Sequence, residues 1–313
     1  MKTTMKIGLA TALALALAAT GAPASASGLA VDAGELPAKT RASLRIDIDR
    51  ARGEAPDLFR QVDEIVAKAN EIDAASRRPG APLTMHFKVL GPRALMPMLE
   101  LLAWGGQVKA GLTPTAHAAL RVGLIEAVGI IRDGRAVPVL ARIVDRERDV
   151  DTTRAAADAL GRIGTHESFG ALTAALGNAD GAGGERLHAI LIGIGASHRL
   201  DAARLLARRA EGADEATARA VAKALGTAGN AWAWKTLASR GEESAVREVA
   251  ARALVKIYVE HAGEARTAAS NALLVVGDAH TATFIADAKR TASADVAAAL
   301  DALAARMAKN PVR

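Results

Sequence analysis

"RAAADALGRIGTHESFGAL", residues 154–172, reads as a helix, a glycine-containing break and the start of a second helix. Ala156, Ala157, Leu160 and Ile163 recur at three- and four-residue steps, which is one apolar face of a helix. Two readings compete. In one, His166-Glu167 is a chemical motif; in the other, the stretch is one tile of a repeating scaffold. Shifted copies decide between them.

Copies are present. "EAVGIIRDGRAVPVL" places Gly129 where this stretch places Gly161, and "KALGTAGNAWAWKTL" places Gly226 there. Between them, "ILIGIGASHRLDAARLL" fits with Ile192 or Gly193. The steps are 32, then 31 or 32, then 34 or 33 residues. Downstream apolar positions repeat with them: Val137, Phe169, Leu200 and Trp234, then Leu140, Leu172, Ala203 and Leu237. The glycine at each break is expected to allow the reversal between two helices. Two helices of about 10–15 residues cannot bury their own apolar faces, so successive pairs must stack as a right-handed array. "GPRALMPMLELLAW" (91–104) matches "DGRAVPVLARIV" (133–144), Pro97 with Pro138, and adds a unit with "GGQVKAGLTP" inserted between its helices. "REVAARALVKIYVE" and "ASNALLVVGDAHTATFIADAK" continue the theme with broken spacing, and "DVAAALDALAARMA" closes the end.

Residues 27–35 are small and polar and are expected to form a loose arm. "LPAKTRASLRIDIDRAR" reads as a helix, although Leu44, Ile46 and Ile48 alternate as in a strand. A clearer helix starts at Pro56, with Leu58, Phe59, Val62, Ile65, Val66, Ala69 and Ile72 on one face. "RRPGAP" (77–82) ends it and divides residues 27–82, arm and helices, from a repeat region at 83–313.

The first 26 residues have the three parts of a secretory signal: Lys2 and Lys6, the uncharged apolar stretch 7–19, and Ala24-Ser25-Ala26 for cleavage. A retained anchor is the competing reading, against which the apolar stretch is short. No later segment reads as long and apolar enough to span a membrane, so the expected product is a soluble, periplasmic or secreted protein. There is no cysteine, which excludes disulfides, thiol catalysis and thiolate metal sites. Loss of the two signal lysines lowers the net charge from +6 to +4. Basic and acidic residues are interleaved, and no run suggests a nucleic-acid arm. Half the residues are hydrophobic and only 3% aromatic, the composition of Ala- and Leu-rich helices.

At "TRAAADALGRIG" (153–164), "ARAVAKALGTAG" (218–229) and, degraded, "VREVAARALVKIY" (246–258), the chain resembles the HEAT-repeat superfamily, in particular the short bacterial repeats similar to those of phycobilisome lyases. The likeness covers roughly residues 90–290; "ALRVGLIEAVGII" departs from it by lacking the usual arginine. It implies an all-α fold, a right-handed α-solenoid of HEAT-like (armadillo-like) helical hairpins. It is nearly silent on activity, because such arrays serve many functions.

Arg154, Arg186 and Arg219 recur seven residues before the break, with Gly193 as the middle one, and Asp149, Asp180 and Asp214 precede them. They read either as an arginine row for anionic ligands or as a structural ladder. The resemblance favours the ladder, in which this Asp and Arg join successive units. His166-Glu167 lies alone in a turn, and the seven histidines have no metal-ligand spacing; no metal and no cofactor are expected, and His166 reads as a helix cap. "GNADGAGG" (177–184) lacks the lysine of a phosphate loop and reads as an inter-helix loop. Trp234 is a core candidate, with Trp232 nearer the surface.

The function expected is a non-enzymatic scaffold that binds a protein partner along its concave face. The alternatives are an envelope component that self-associates through array ends and a lyase or hydrolase of HEAT type. Counting from the breaks, one outward ridge of second helices holds Glu126, Asp158, Ala189 or Ile190, Lys223 and Arg252. The next holds Ile130, Arg162, Gly193 or Ile194, Thr227 and Lys256. The charged members, Glu126, Asp158, Arg162, Lys223, Arg252 and Lys256, form the candidate partner-binding face.

Overall fold

A computed structural model describes residues 28–179 and 184–310; the signal sequence and Asp180 lie outside them. Among the described residues the chain is all-helical, with no strand. Four helices open it: α1 (Ala38–Glu54), α2 (Pro56–Ala67), α3 (Ala69–Ala75) and α4 (Thr84–Lys88). Then come α5 (Leu95–Trp104), α6 (Pro114–Ile131), α7 (Val137–Arg146), α8 (Val150–Ile163), α9 (His166–Ala179), α10 (Gly184–Gly195), α11 (Leu200–Arg209) and α12 (Glu215–Ala228). The chain ends with the one-turn α13 (Ala231–Trp234), then α14 (Glu243–Glu260), α15 (Gly263–Val276), α16 (Thr281–Lys289) and α17 (Ala294–Lys309).

The helices pack in two rows. Consecutive members of α4, α6, α8, α10, α12 and α15 are neighbours and make the second-helix row. In the first-helix row α5, α7 and α9 follow one another, as do α11, α14 and α16. One hydrophobic core runs between the rows from Leu29 to Leu303. The helix starts carry their own signals. Thr113, Asp149 and Asp214 cap α6, α8 and α12 by accepting from the backbone N–H of the third residue on. Pro114 sits at the first position of α6, where no N–H is needed. Among the described residues α6 alone is long and apolar enough to cross a membrane, which corrects the expectation of no such segment; half of it is buried in the protein, between α4 and α8.

The repeating glycine is not at the break. Gly129, Gly161 and Gly226 lie inside α6, α8 and α12, each buried. A side chain there would strike the next helix: a Cβ on Gly129 would come within 2.6 Å of Ala159, one on Gly226 within 2.9 Å of Ala272, and one on Gly161 would collide with Gly193 O. The glycine therefore sets how closely the second helices approach, and the Ala-rich composition follows from the same need. The burial pattern also corrects the register of α10. Its buried positions match those of α8 shifted by 34 residues and those of α12 shifted back by 31, so Gly195 is the equivalent glycine, not Ile192 or Gly193. Each glycine then faces the residue two before the next one: Gly129 faces Ala159, Gly161 faces Gly193, Gly195 faces Ala224. The reversals come three residues later, at Arg132, Gly164, His198 and Gly229, of which the first three are left-handed.

Three further expectations are corrected. The segment after residue 27 is docked: Leu29, Val31, Ala33 and Leu36 are buried, and the amides of Leu29, Ala30 and Val31 donate to Leu101 O and Leu102 O in the last turn of α5. The Gly105 N–H already caps Leu101 O, but Leu102 O is one of the carbonyls a helix end leaves over, and the segment supplies its donors. The helix from Pro56 breaks at Lys68 into α2 and α3. The apparent second-helix copy at 246–258 lies in α14, which stands in the first row between α11 and α16, while α15 takes the place beside α12 in the second row. The short α13 is a supernumerary turn, which explains the lost period. Trp234 on it is buried with Ala203, Ala228 and Val246, and Trp232 is exposed.

Candidate functional site

The second helices are buried on most of their circumference. In α8 the outward stripe is Asp151, Arg154, Asp158 and Arg162, at helical three- and four-residue steps. With the corrected register the stripes superpose. One ridge reads Glu126, Asp158, Ile192, Lys223; the ridge before it reads Val122, Arg154, His188, Arg219. Ala189, Ile190, Gly193 and Ile194, expected on outward ridges, are buried, because the register was two or three residues out. Arg252 and Lys256 leave this face altogether. The Arg252 guanidinium lies 4.3 Å over the Phe284 ring of α16, and Lys256 Nζ is 3.8 Å from Glu211 and 3.9 Å from Glu260. The structure thus keeps Glu126, Asp158, Arg162 and Lys223 on the row of second helices, spread from α6 to α12, and puts the other two on α14 in the first-helix row.

Two adjoining cavities follow the stripe. A cavity of about 370 Å³ lies between Arg78, Glu126, Arg154 and Asp158, and one of about 280 Å³ lies between Arg154, His188, Arg219 and Lys223. Charge changes along them. Glu126 is half-buried and accepts from Thr84 Oγ1. Asp158 accepts from Arg162 Nε at 2.6 Å. Arg219 pairs with Glu264 of α15, and Lys223 is exposed, with no ion pair among the described residues. Burial, then the Arg219 charge, pushes the His188 imidazole below its ordinary value against the pull of Asp214 and Glu185, so it adds no charge near neutrality.

The Asp/Arg ladder is differently wired from the expectation. Asp149 caps α8 through the Thr152 N–H at 2.8 Å and lies 3.4 Å from Arg121; Arg154 pairs with Asp151 of its own helix and acts on Asp149 only through its charge. Burial pushes the Asp149 carboxyl up, but the Thr152 hydrogen bonds and the Arg121 charge outweigh this and hold it below the usual carboxylate value. Asp214 is likewise held low, by hydrogen bonds from Thr217. Arg121 also binds Glu147 at 3.0 Å, so the unit that lacked an arginine at the usual place braces the next one from a neighbouring position. Arg186 reaches the last carbonyls of α7, Glu147 O at 2.5 Å and Asp145 O at 3.0 Å. It is an inter-unit brace but not the equivalent of Arg154; His188 is. Thr165, not His166, caps α9, through the Ser168 N–H at 3.1 Å. Of "GNADGAGG", Gly177, Asn178 and Ala179 end α9 and Gly184 begins α10; 180–183 lie outside the described residues.

Arg121, His188 and Ile192 are the residues that sequence reasoning missed. The signal was present in "AVG" (127–129), "ALG" (159–161), "GIG" (193–195) and "ALG" (224–226), a small residue and a glycine two apart that align all four helices. Among the described residues no group of three His, Asp or Glu side chains could hold a metal. No protein-family model matches the chain, and no curated protein matches it.

Proposed function

We propose that the chain is an exported, non-enzymatic scaffold of HEAT-like hairpins, a right-handed α-solenoid that holds a protein partner along the concave face of its second helices. The observation that carries this reading is the ridge Glu126, Asp158, Ile192, Lys223, acidic at one end, apolar in the middle and basic at the other, bordered by two cavities. Fixed charges in such an order steer and orient a partner more than they add to affinity, and the partner's acidic patch would lie toward α12. Export rests on the sequence of residues 1–26.

The test uses the immobilised protein and an envelope extract, with the captured partner then titrated. Lys223→Glu is expected to weaken association about tenfold and to flatten its salt dependence, because a rim charge acts mainly on the association rate. Arg252→Glu, on the other row, is expected to change nothing. The opposite pattern would place the partner on the first-helix row.

A further inference from the structure

The second helices end in a row of caps, three residues beyond each buried glycine: Arg132, Gly164, His198 and Gly229. Gly164 has φ 67°, the left-handed region that glycine enters without a Cβ clash. Arg132 at φ 59° and His198 at φ 50° hold the same conformation while carrying side chains, and among the described residues no other non-glycine residue does. Side-chain-bearing residues are disfavoured there, and strain of this kind clusters where a ligand is held. Both residues line one cavity of about 310 Å³ at the turn edge of the array, beside the α8 stripe through Arg162; its one lining carboxylate, Glu242, accepts from the Leu200 N–H at 2.9 Å.

The chemistry of this cavity is specific. His198 Nδ1 lies 3.1 Å from Ala228 O. A carbonyl only accepts, so Nδ1 carries the ring hydrogen and Nε2 keeps its lone pair. Trp234 Nε1 donates to the same carbonyl at 2.8 Å, and the indole stands edge-on to the imidazole at 5.5 Å, which fixes the ring. Burial pushes the imidazole below its ordinary value, so the ring is neutral near pH 7. The Arg132 side chain forms no hydrogen bond or ion pair with the described residues. Arg162 engages Asp158 through Nε alone, leaving its terminal nitrogens. Arg199, by contrast, is closed by Asp201 at 2.9 and 2.8 Å. The helix dipole accounts for cations beside these C-termini. It does not account for an arginine and a histidine on left-handed backbone where glycine serves elsewhere.

We propose that this cavity binds a small hydroxy-carboxylate: Arg132 and Arg162 hold the carboxylate, the neighbouring hydroxyl donates to His198 Nε2, and the carbon skeleton lies against Leu237. Two guanidiniums suit a planar carboxylate. A phosphate monoester dianion would turn only lone pairs toward Nε2, and inorganic phosphate has no carbon skeleton to lie against Leu237, whereas a hydroxyl beside the carboxylate supplies both the hydrogen and the apolar contact.

Calorimetric titration of the purified chain tests this with malate, and with succinate as the analogue that lacks the hydroxyl. Malate is expected to bind with one-to-one stoichiometry, about tenfold more tightly than succinate. Arg132→Gly is expected to weaken malate binding by about tenfold or more while raising the melting midpoint by roughly 2–4 °C, since glycine relieves the backbone. His198→Gly is expected to abolish the preference for malate over succinate. The proposal is overturned if malate shows no saturable binding, if malate and succinate bind equally, if Arg132→Gly leaves malate binding unchanged, or if inorganic phosphate binds more tightly than malate.

Discussion

Leu160→Asp should cost the protein about 4–5 kcal/mol, enough to remove most of a domain's usual margin of stability. Leu160 is fully buried in α8, among the apolar residues that join α8 to the first row and to the helices on either side. Truncation of a buried leucine alone costs about 2–5 kcal/mol through lost transfer energy and the cavity left behind. The carboxyl adds a desolvation cost that it can only reduce by staying protonated. In a stacked array each helix pair leans on its neighbours, so the loss should extend into α10 and α12. Thermal melting followed by circular dichroism measures it. A midpoint equal to that of the parent chain would mean that α8 is not core.

Gly195→Ala should destabilise, and Gly170→Ala, in the helix before it, should stabilise. Within a helix, alanine is ordinarily better than glycine by about 1 kcal/mol. Gly170 lies exposed in α9 with nothing near its missing Cβ, so the ordinary sign holds and a gain of about 0.5–1 kcal/mol is expected. At Gly195 the Cβ would collide with Ala224 O and crowd the Ala224 Cα at 2.9 Å. These are backbone atoms of α12, which cannot rotate aside. Forcing the two helices apart should cost about 1–3 kcal/mol net, and the sign reversal between the two glycines is the diagnostic result. Denaturant titration of both variants reads it. If both substitutions stabilise, the close approach of α10 to α12 is wrong.

How much was legible in the sequence follows from what each residue type can signal. The helices around Leu160 were legible, because apolar residues at three- and four-residue steps have no strand reading over fourteen positions. The presence of repeats was legible too. The role of Gly161 was not. A glycine near a helix end has the same appearance whether it turns the chain or lets a neighbour approach, and only the neighbour's backbone distinguishes the two. The same ambiguity misplaced α10 by two or three residues, and with it His188 and Ile192. At 246–258 the local pattern of an amphipathic helix was correct while its row was not, since the one-turn α13 changes which row the next helix joins without altering the pattern itself. Of the residues counted onto the candidate face, Glu126, Asp158, Arg162 and Lys223 lie on one row of helices because the spacing up to α12 is close to regular; Arg252 and Lys256 lie beyond the extra turn.

The docked segment that begins at residue 28 bears on the order in which the molecule acquires its structure. Nearly all other packing joins helices that are near neighbours in the chain, the condition under which folding is fast. The segment instead waits for α5, and its Glu35 reaches as far as Arg142, 107 residues on. Closing a loop of that size carries an entropic cost that grows with the logarithm of its length, and it is recovered only once the receiving helices exist. The segment is synthesised before the helices that receive it and therefore settles late. It should also be the first to open: the amides of Leu29, Ala30 and Val31 should exchange hydrogen well before those in the middle of α8, and equal protection of the two would show that segment and array form a single cooperative unit.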